Sequence, residues 1–279
     1  MTGELPRFQL SIQTGVIHGM TKELVFDQGQ KISEIAWEMK PIIFTGYTIY
    51  AKVHKRSALN FSYWSGLNNH LGSVEDSDFE DGIKSSFSKH TATLERVYLA
   101  DLDFRYDFLT STPVTLTGIL GYSLRQIKMG AKDGYVESPP GSARKDVFGM
   151  GIGYEQIYKF PYVGIDMDYA LQQRLKLNLS TFYSNNVSIE TLDNHFGRGI
   201  DFYDTMRGGV YYAVGPSAHF QIGRNNVLSV SSLYMKIKEV KGNSYSVNTS
   251  TGERSSTREN GAGVSFNAYT IVLSWIVLM

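Results

Sequence analysis

Two short signatures far apart in the chain carry the residue types that could do chemistry: Asp76-Ser77-Asp78 and Asp193-Asn194-His195. Each sets two ionisable groups at i and i+2, which project to the same side of an extended backbone. Three aspartates and one histidine arranged in this way can assemble a site that activates water without a metal ion or a nucleophilic serine. Either signature alone is most often solvated surface or a weak cation site. The scaffold that carries them decides.

At 279 residues the chain is long enough for one large domain or two modest ones. Its 27 Lys+Arg balance 27 Asp+Glu, so no net field points to nucleic acid or to a polybasic membrane anchor. Cysteine is absent, which excludes a disulfide framework and thiolate metal ligation. The 18 Tyr, 15 Phe and 27 Gly favour strands and turns over helices. No apolar run approaches the roughly 18 residues a membrane helix needs, so a helical membrane protein is excluded. Met1-Thr2-Gly3-Glu4-Leu5-Pro6 has neither a basic nor an apolar leader region, so no signal peptide is expected there. That start fits a cytoplasmic chain or a mature exported one.

Alternation is the dominant periodicity. Between Ala100 and Phe108 one face reads Ala, Leu, Phe, Tyr, Phe and the other Asp, Asp, Arg, Asp. Val163, Ile165, Met167 and Tyr169 alternate with Gly164, Asp166 and Asp168, and Leu175, Leu177 and Leu179 with Lys176 and Asn178. The strands of a soluble sandwich average about five or six residues. These segments run to roughly 15–20 residues with fully charged polar faces, as in a closed barrel with lipid outside and a polar interior.

The pattern predicts ten strands, near 7–26, 31–53, 57–71, 90–109, 114–129, 148–171, 174–189, 204–214, 218–240 and 262–278. Short links are expected at 54–57, 110–113, 172–174 and 215–217, and long polar loops near 70–90, 130–147, 191–203 and 241–259. That asymmetry suits an outer-membrane barrel. Tyr47, Tyr50, Tyr63, Trp64, Tyr106, Phe108, Tyr122, Tyr162 and Trp275 are candidates for its aromatic girdles.

The chain resembles the omptin family, bacterial outer-membrane endopeptidases of aspartyl type. The resemblance is carried by Gly15, Gly19, Thr21-Lys22-Glu23, Val25-Phe26 and Lys31-x-Ser33-x-Ile35-x-Trp37. It continues through Asp76-x-Asp78 with Asp81, Gly153-Tyr154, Phe160-Pro161-Tyr162-Val163-Gly164, Asp193-x-His195 and Asn260-Gly261-Ala262-Gly263. It spans nearly the whole chain in order and spacing. It implies an all-β, ten-stranded antiparallel transmembrane barrel with long extracellular loops, forming one domain over 1–279. It also implies an active-site groove at the extracellular rim of the bacterial outer membrane.

Within that resemblance, Asp76, Asp78, Asp193 and His195 are the expected catalytic residues, with water as the nucleophile. His195 is the natural general base and Asp193 the carboxylate that orients it. Two carboxylates as close as Asp76 and Asp78 resist double ionisation, so one can hold a proton. Ser88 and His90 are expected in the groove rather than as a nucleophilic pair. The family's taste for Arg or Lys rests on two buried acids. Glu23 matches the first, while Thr191 stands at the second, with Glu190 adjacent as a substitute. No metal or cofactor is expected. The family holds lipopolysaccharide on the outer wall and depends on it for activity; Tyr122 matches that site, with Arg125 and Lys128 as compensating cations nearby.

The expected partners are peptides and proteins with basic residues, together with outer-membrane lipid and lipopolysaccharide; a monomer is expected and nucleic acid is not. Strand parity puts Asp76 and Asp78 on the interior face. Continued from Lys176, Asn178 and Ser180, it turns Asp193 and His195 outward unless a bulge, best placed at Asn185-Asn186, resets the phase. The alternative reading is a non-catalytic adhesin or invasin working through the loops. A diffusion porin is disfavoured because so narrow a lumen fills with charged side chains.

Overall fold

A computed structural model describes residues 7–279; residues 1–6, on which the expectation about a signal peptide rests, lie outside them. The strands are β1 (Phe8–Asp27), β2 (Gln30–His54), β3 (Ser57–Gly66), β4 (His70–Glu80), β5 (Ile83–Ser111) and β6 (Val114–Glu137), followed by β7 (Lys145–Gln172), β8 (Leu175–His195), β9 (Ile200–Gln221), β10 (Asn226–Asn248) and β11 (Arg258–Leu278). All pairs are antiparallel. β3 and β4 lie end to end between β2 and β5, so eleven segments close a ring of ten places. β1 meets β11 along a continuous ladder from Gln9↔Leu278 to Val25↔Ala262, which removes the last free edge. Closure is what lets strands cross lipid, since no backbone group is left unpaired.

The outward band is apolar. On β11, Tyr269, Ile271, Leu273 and Trp275 are 45–52% exposed, while Ala268, Thr270, Val272 and Ser274 between them are buried. Such inversion, with large apolar groups out and small or polar groups in, is unstable in water and suited to a bilayer. Tyr47, Tyr106, Phe108, Tyr122 and Trp275 stand in this outward set. Tyr50, Trp64 and Tyr162 do not belong to a girdle. Tyr50 lines the lower lumen, Trp64 stacks on Phe44 and donates to Gln13, and Tyr162 donates to Asp103.

Inside, the barrel has three levels. The lower lumen is a polar cavity of about 540 Å³, beside which Arg105 bridges Asp103 and Asp166 at 2.7 Å each. A layer of buried aromatic and sulfur side chains, among them Trp37, Met39, Tyr154, Phe160 and Met206, seals it from above. Trp37 stacks on Tyr154 at 5.7 Å. Truncating a fully buried ring of this size costs roughly 3–5 kcal/mol. This layer is the floor on which the upper cavity rests.

Three expectations about the chain path change. Residues 57–71 do not form one strand, because Leu67, Asn68 and Asn69 leave the ladder and Asn68 caps Ile43 and Pro41. The polar stretches expected as loops are largely strand, and β4–β5 turns tightly at Asp81-Gly82. Both of those residues have positive φ, the requirement of a two-residue hairpin turn. Gly215-Pro216-Ser217 is not a turn. β9 runs through it and the chain reverses at 222–225, which replaces the expected strands 204–214 and 218–240 with β9 and β10. Pro216 is tolerated because the β9–β10 ladder skips from Ser231↔Ser217 to Tyr234↔Val214, so its missing N–H is not called on. Phe160-Pro161 lies inside the single strand β7, as expected.

Candidate active site

The site lies on the upper cavity, about 530 Å³, lined by residues from β1, β2, β4, β8, β9, β10 and β11. Along β7 it stands about 30 Å of strand above the apolar band at Val163 and Ile165, because Tyr154 pairs with Asp193. The candidate site is therefore carried clear of the apolar band.

Asp76 and Asp78 reach this cavity from β4, paired with Ile35 and Ser33 of β2. Ser33 donates to Asp76 at 3.4 Å. Asp193 and His195 reach it from β8, and their phase is reset where sequence parity requires. The β8–β9 ladder breaks between Ser184 and Val187, and the inward set passes from even residues (Asn178, Ser180, Ser184) to odd ones (Val187, Ile189, Thr191, Asp193). The bulge is Asn185-Asn186, with the Asn186 N–H donating to Ser184. His195 Nε2 lies 2.6 Å from Asp193 Oδ2, and the ring meets Phe202 edge-on at 5.2 Å. Those two contacts fix the imidazole plane.

Acids dominate the charge of the cavity. Glu23, on β1, is 4% exposed, and its Oε2 has no hydrogen-bond partner; Asp193 Oδ1 likewise has none. Burial pushes the Glu23 carboxyl well above its usual range, and the charges of Asp193, Asp204 and Asp76 push further. The Glu23 and Asp193 carboxyls abut, and a proton held by one of them makes that contact favourable. Burial, then the charge of Asp78, raises Asp76 to about 6, against the opposing pull of His195 and Arg198. Burial also raises Asp204.

These shifts set the pH dependence of stability. A carboxyl whose folded-state pKa is raised binds more protons folded than unfolded, so stability falls as pH rises through the window between the two values. For Asp76 that window runs from about 4 to about 6. Denaturant unfolding of the empty barrel should lose on the order of 1–3 kcal/mol across it. Asp76→Asn should flatten that limb; an unchanged slope would contradict the assignment.

The remaining sequence expectations divide. Thr191 is inward and buried beneath the cavity, donating to Asp204 at 2.7 Å. Glu190, expected as a substitute recognition acid, is on the outer wall, where it pairs with Lys159 at 3.0 Å. Alternation on β8 past the bulge makes this unavoidable, since 190 and 191 face opposite ways. Ser88 sits opposite Asp76 in the β4–β5 register, but neither Ser88 nor His90 lines the cavity. They hydrogen-bond each other at 2.9 Å, and His90 Nδ1 meets the Asp133 carbonyl.

Tyr122 is exposed on the outer wall, whereas Arg125 is buried inside the barrel, donating to Ser123 and Tyr211 and lying over the Phe160 ring. An odd residue on β6 cannot share the wall with Tyr122. The two residues therefore do not form a lipopolysaccharide site together, and the outward cations Lys128 and Lys159 are already paired with Glu95 and Glu190.

Arg198, Phe202 and Asp204 line the site without having been singled out in the sequence. The reading of 191–203 as loop hid them. A tight β8–β9 reversal at 196–199 places Asp204 opposite Thr191 and Phe202 opposite Asp193.

Comparison with known proteins agrees over the full length. The model of the omptin family matches residues 5–275. The plasminogen activator of Yersinia pestis is 24% identical over 273 residues, covering 95% of this chain and 87% of that protein. Protease 7 of Escherichia coli K12 is 26% identical over 271 residues, covering 91% and 84%. The outer membrane protease IcsP of Shigella flexneri is 27% identical over 258 residues, covering 83% and 82%. The crystal structure of the outer membrane protease OmpT from Escherichia coli superposes with a TM-score of 0.91 at 21% identity, covering 100% of this chain and 99% of that one.

Proposed function

The chain belongs to the omptin family, and from that premise we propose that it is an outer-membrane endopeptidase cutting next to Lys or Arg, its site facing outward from the cell. The observation that carries this reading is the convergence of Asp76 and Asp78 with Asp193 and His195 on one cavity lined with buried acids. Relatives named as outer-membrane proteases support it.

A water held between the two pairs attacks the scissile carbonyl carbon. His195 takes its proton, Asp193 steadies the resulting imidazolium, and His195 then gives the proton to the leaving amine. Ionised Asp76 accepts the water's second hydrogen and aims its lone pair. The acids of the cavity attract and select the basic side chain. The adhesin reading is less well supported: the loop tips are short, and adhesion has no use for carboxyls buried at an energetic cost.

The test is a quenched peptide containing Arg-Arg or Arg-Lys, incubated with folded protein in detergent with lipopolysaccharide. Cleavage at the basic pair is expected; folded protein that cuts no such peptide sinks the proposal. The pH profile tests the role of Asp76. Because its carboxyl titrates at about 6, the required ionised form is present above that value, and kcat/KM should fall about tenfold per unit below it. Asp78→Asn removes a like charge and should move this acid limb to lower pH. An acid limb that stays in place would assign it to another group.

A further inference from the structure

We propose that Asp204, together with Glu23, receives the charged head of the substrate's basic side chain, taking over the role that Thr191 cannot fill. This rests on the basic-residue reading above and names the acid that carries it.

Thr191 and Asp204 are directly opposed across the β8–β9 ladder. Opposed residues on one face have Cβ atoms about 4.5–5.5 Å apart. A carboxyl moved from position 191 to position 204 therefore stays in the same neighbourhood, entering from the next strand. The Thr191 hydroxyl donates to Asp204 Oδ2 at 2.7 Å, and Ser244, opposite Asp204 on β10, bonds the same carboxyl; these neutral donors hold its plane without balancing its charge.

Asp204 is 5% exposed and lines the cavity, as does Glu23 at 4%. Burying a carboxylate is costly unless a cation meets it. Among the described residues neither acid makes a salt bridge, and Glu23 abuts the Asp193 carboxyl rather than a cation. Of the cations in the lining, Arg258 on β11 spends a donor on the Phe26 carbonyl and Arg198 acts on Asp76. Burial and the charge of Asp193 raise the Asp204 carboxyl, as expected for an acid without its counter-ion. Two nearly buried acids facing one cavity without a counter-ion form a receptor for a guanidinium or an ammonium group.

The experiment reads binding and selectivity separately. n-Propylguanidinium, the Arg side chain without its backbone, is titrated calorimetrically into folded wild type, His195→Ala, Asp204→Asn and the exchange variant Thr191→Asp/Asp204→Ser. Wild type and His195→Ala should bind alike, Asp204→Asn should bind at least about 30-fold more weakly, and the exchange variant should recover most of that loss. In cleavage assays Asp204→Asn should lose preference for Arg over Gln by a similar factor, through KM and kcat/KM. Undiminished binding and selectivity in Asp204→Asn overturns the inference while leaving basic-residue cleavage intact. A wild type that cuts without regard to basic residues overturns both. If Asn at 204 prevents folding, recovery in the exchange variant decides.

Discussion

His195→Ala should lower kcat/KM on an Arg-Arg peptide by about a thousandfold or more with the barrel still folded. General-base catalysis by a positioned histidine contributes on the order of 10²–10⁴. Here the imidazole is held on two sides, by Asp193 at 2.6 Å and by the edge of Phe202. Asp193→Asn should be nearly as damaging. The amide can still touch the ring, but it gives no charge to the imidazolium and allows the wrong tautomer. The two defects should not add, because the residues act as one unit. Folding is checked independently by the heat-shifted electrophoretic mobility of an intact barrel. Loss of activity with that shift preserved is the expected result; near-normal kcat/KM in His195→Ala would remove the histidine from the mechanism.

Deleting Leu192 should abolish activity as completely as removing the histidine, although Leu192 faces away from the site. In a regular strand the loss of one residue moves every following side chain to the other face. Asp193 and His195 then point outward, while Thr191 and the fully buried Val187 and Ile189 keep their places. The membrane band below Ser184 keeps its phase, and the barrel should still insert. Deleting Asn186 should do the opposite, because it removes the extra residue that the bulge accommodates. Ser184 and Val187, both inward, then stand two apart in a regular strand, and Thr191, Asp193 and His195 stay inward, so the cost should be less than about tenfold. Wild-type activity after deletion of Leu192, or its complete loss after deletion of Asn186, would show that strand phase does not place the dyad.

What could be read from the sequence follows from which interactions are local. Alternation of period two over 15–20 residues specified a closed barrel of ten places, because the lipid and lumen faces of each strand demand opposite chemistry. The same parity argument located the Asn185-Asn186 bulge, since Lys176, Asn178 and Ser180 on one side conflict with Asp193 and His195 on the other. It failed where polar composition imitated loop. The strands continue above the membrane, where both faces meet water or a polar cavity, so hydrophobic alternation fades while the ladder persists. The hairpins at 80–83 and 196–199 were lost in this way, and Asp204 with them. Gly215-Pro216 misled for another reason: a gap in pairing with β10 absorbs the proline, and that is visible only across strands. Glu190 and Arg125 were chosen by proximity in sequence to positions of interest, and each faces the wrong side of its strand.

The most direct measurement of the central claim is digestion of a mixed peptide library by folded wild-type protein and by His195→Ala, with every cut bond identified by mass spectrometry. The expected result is cleavage confined to bonds flanked by Lys or Arg in the wild type and absent in the variant. Cuts distributed without regard to basic residues, or an unchanged set of cuts from His195→Ala, would contradict it.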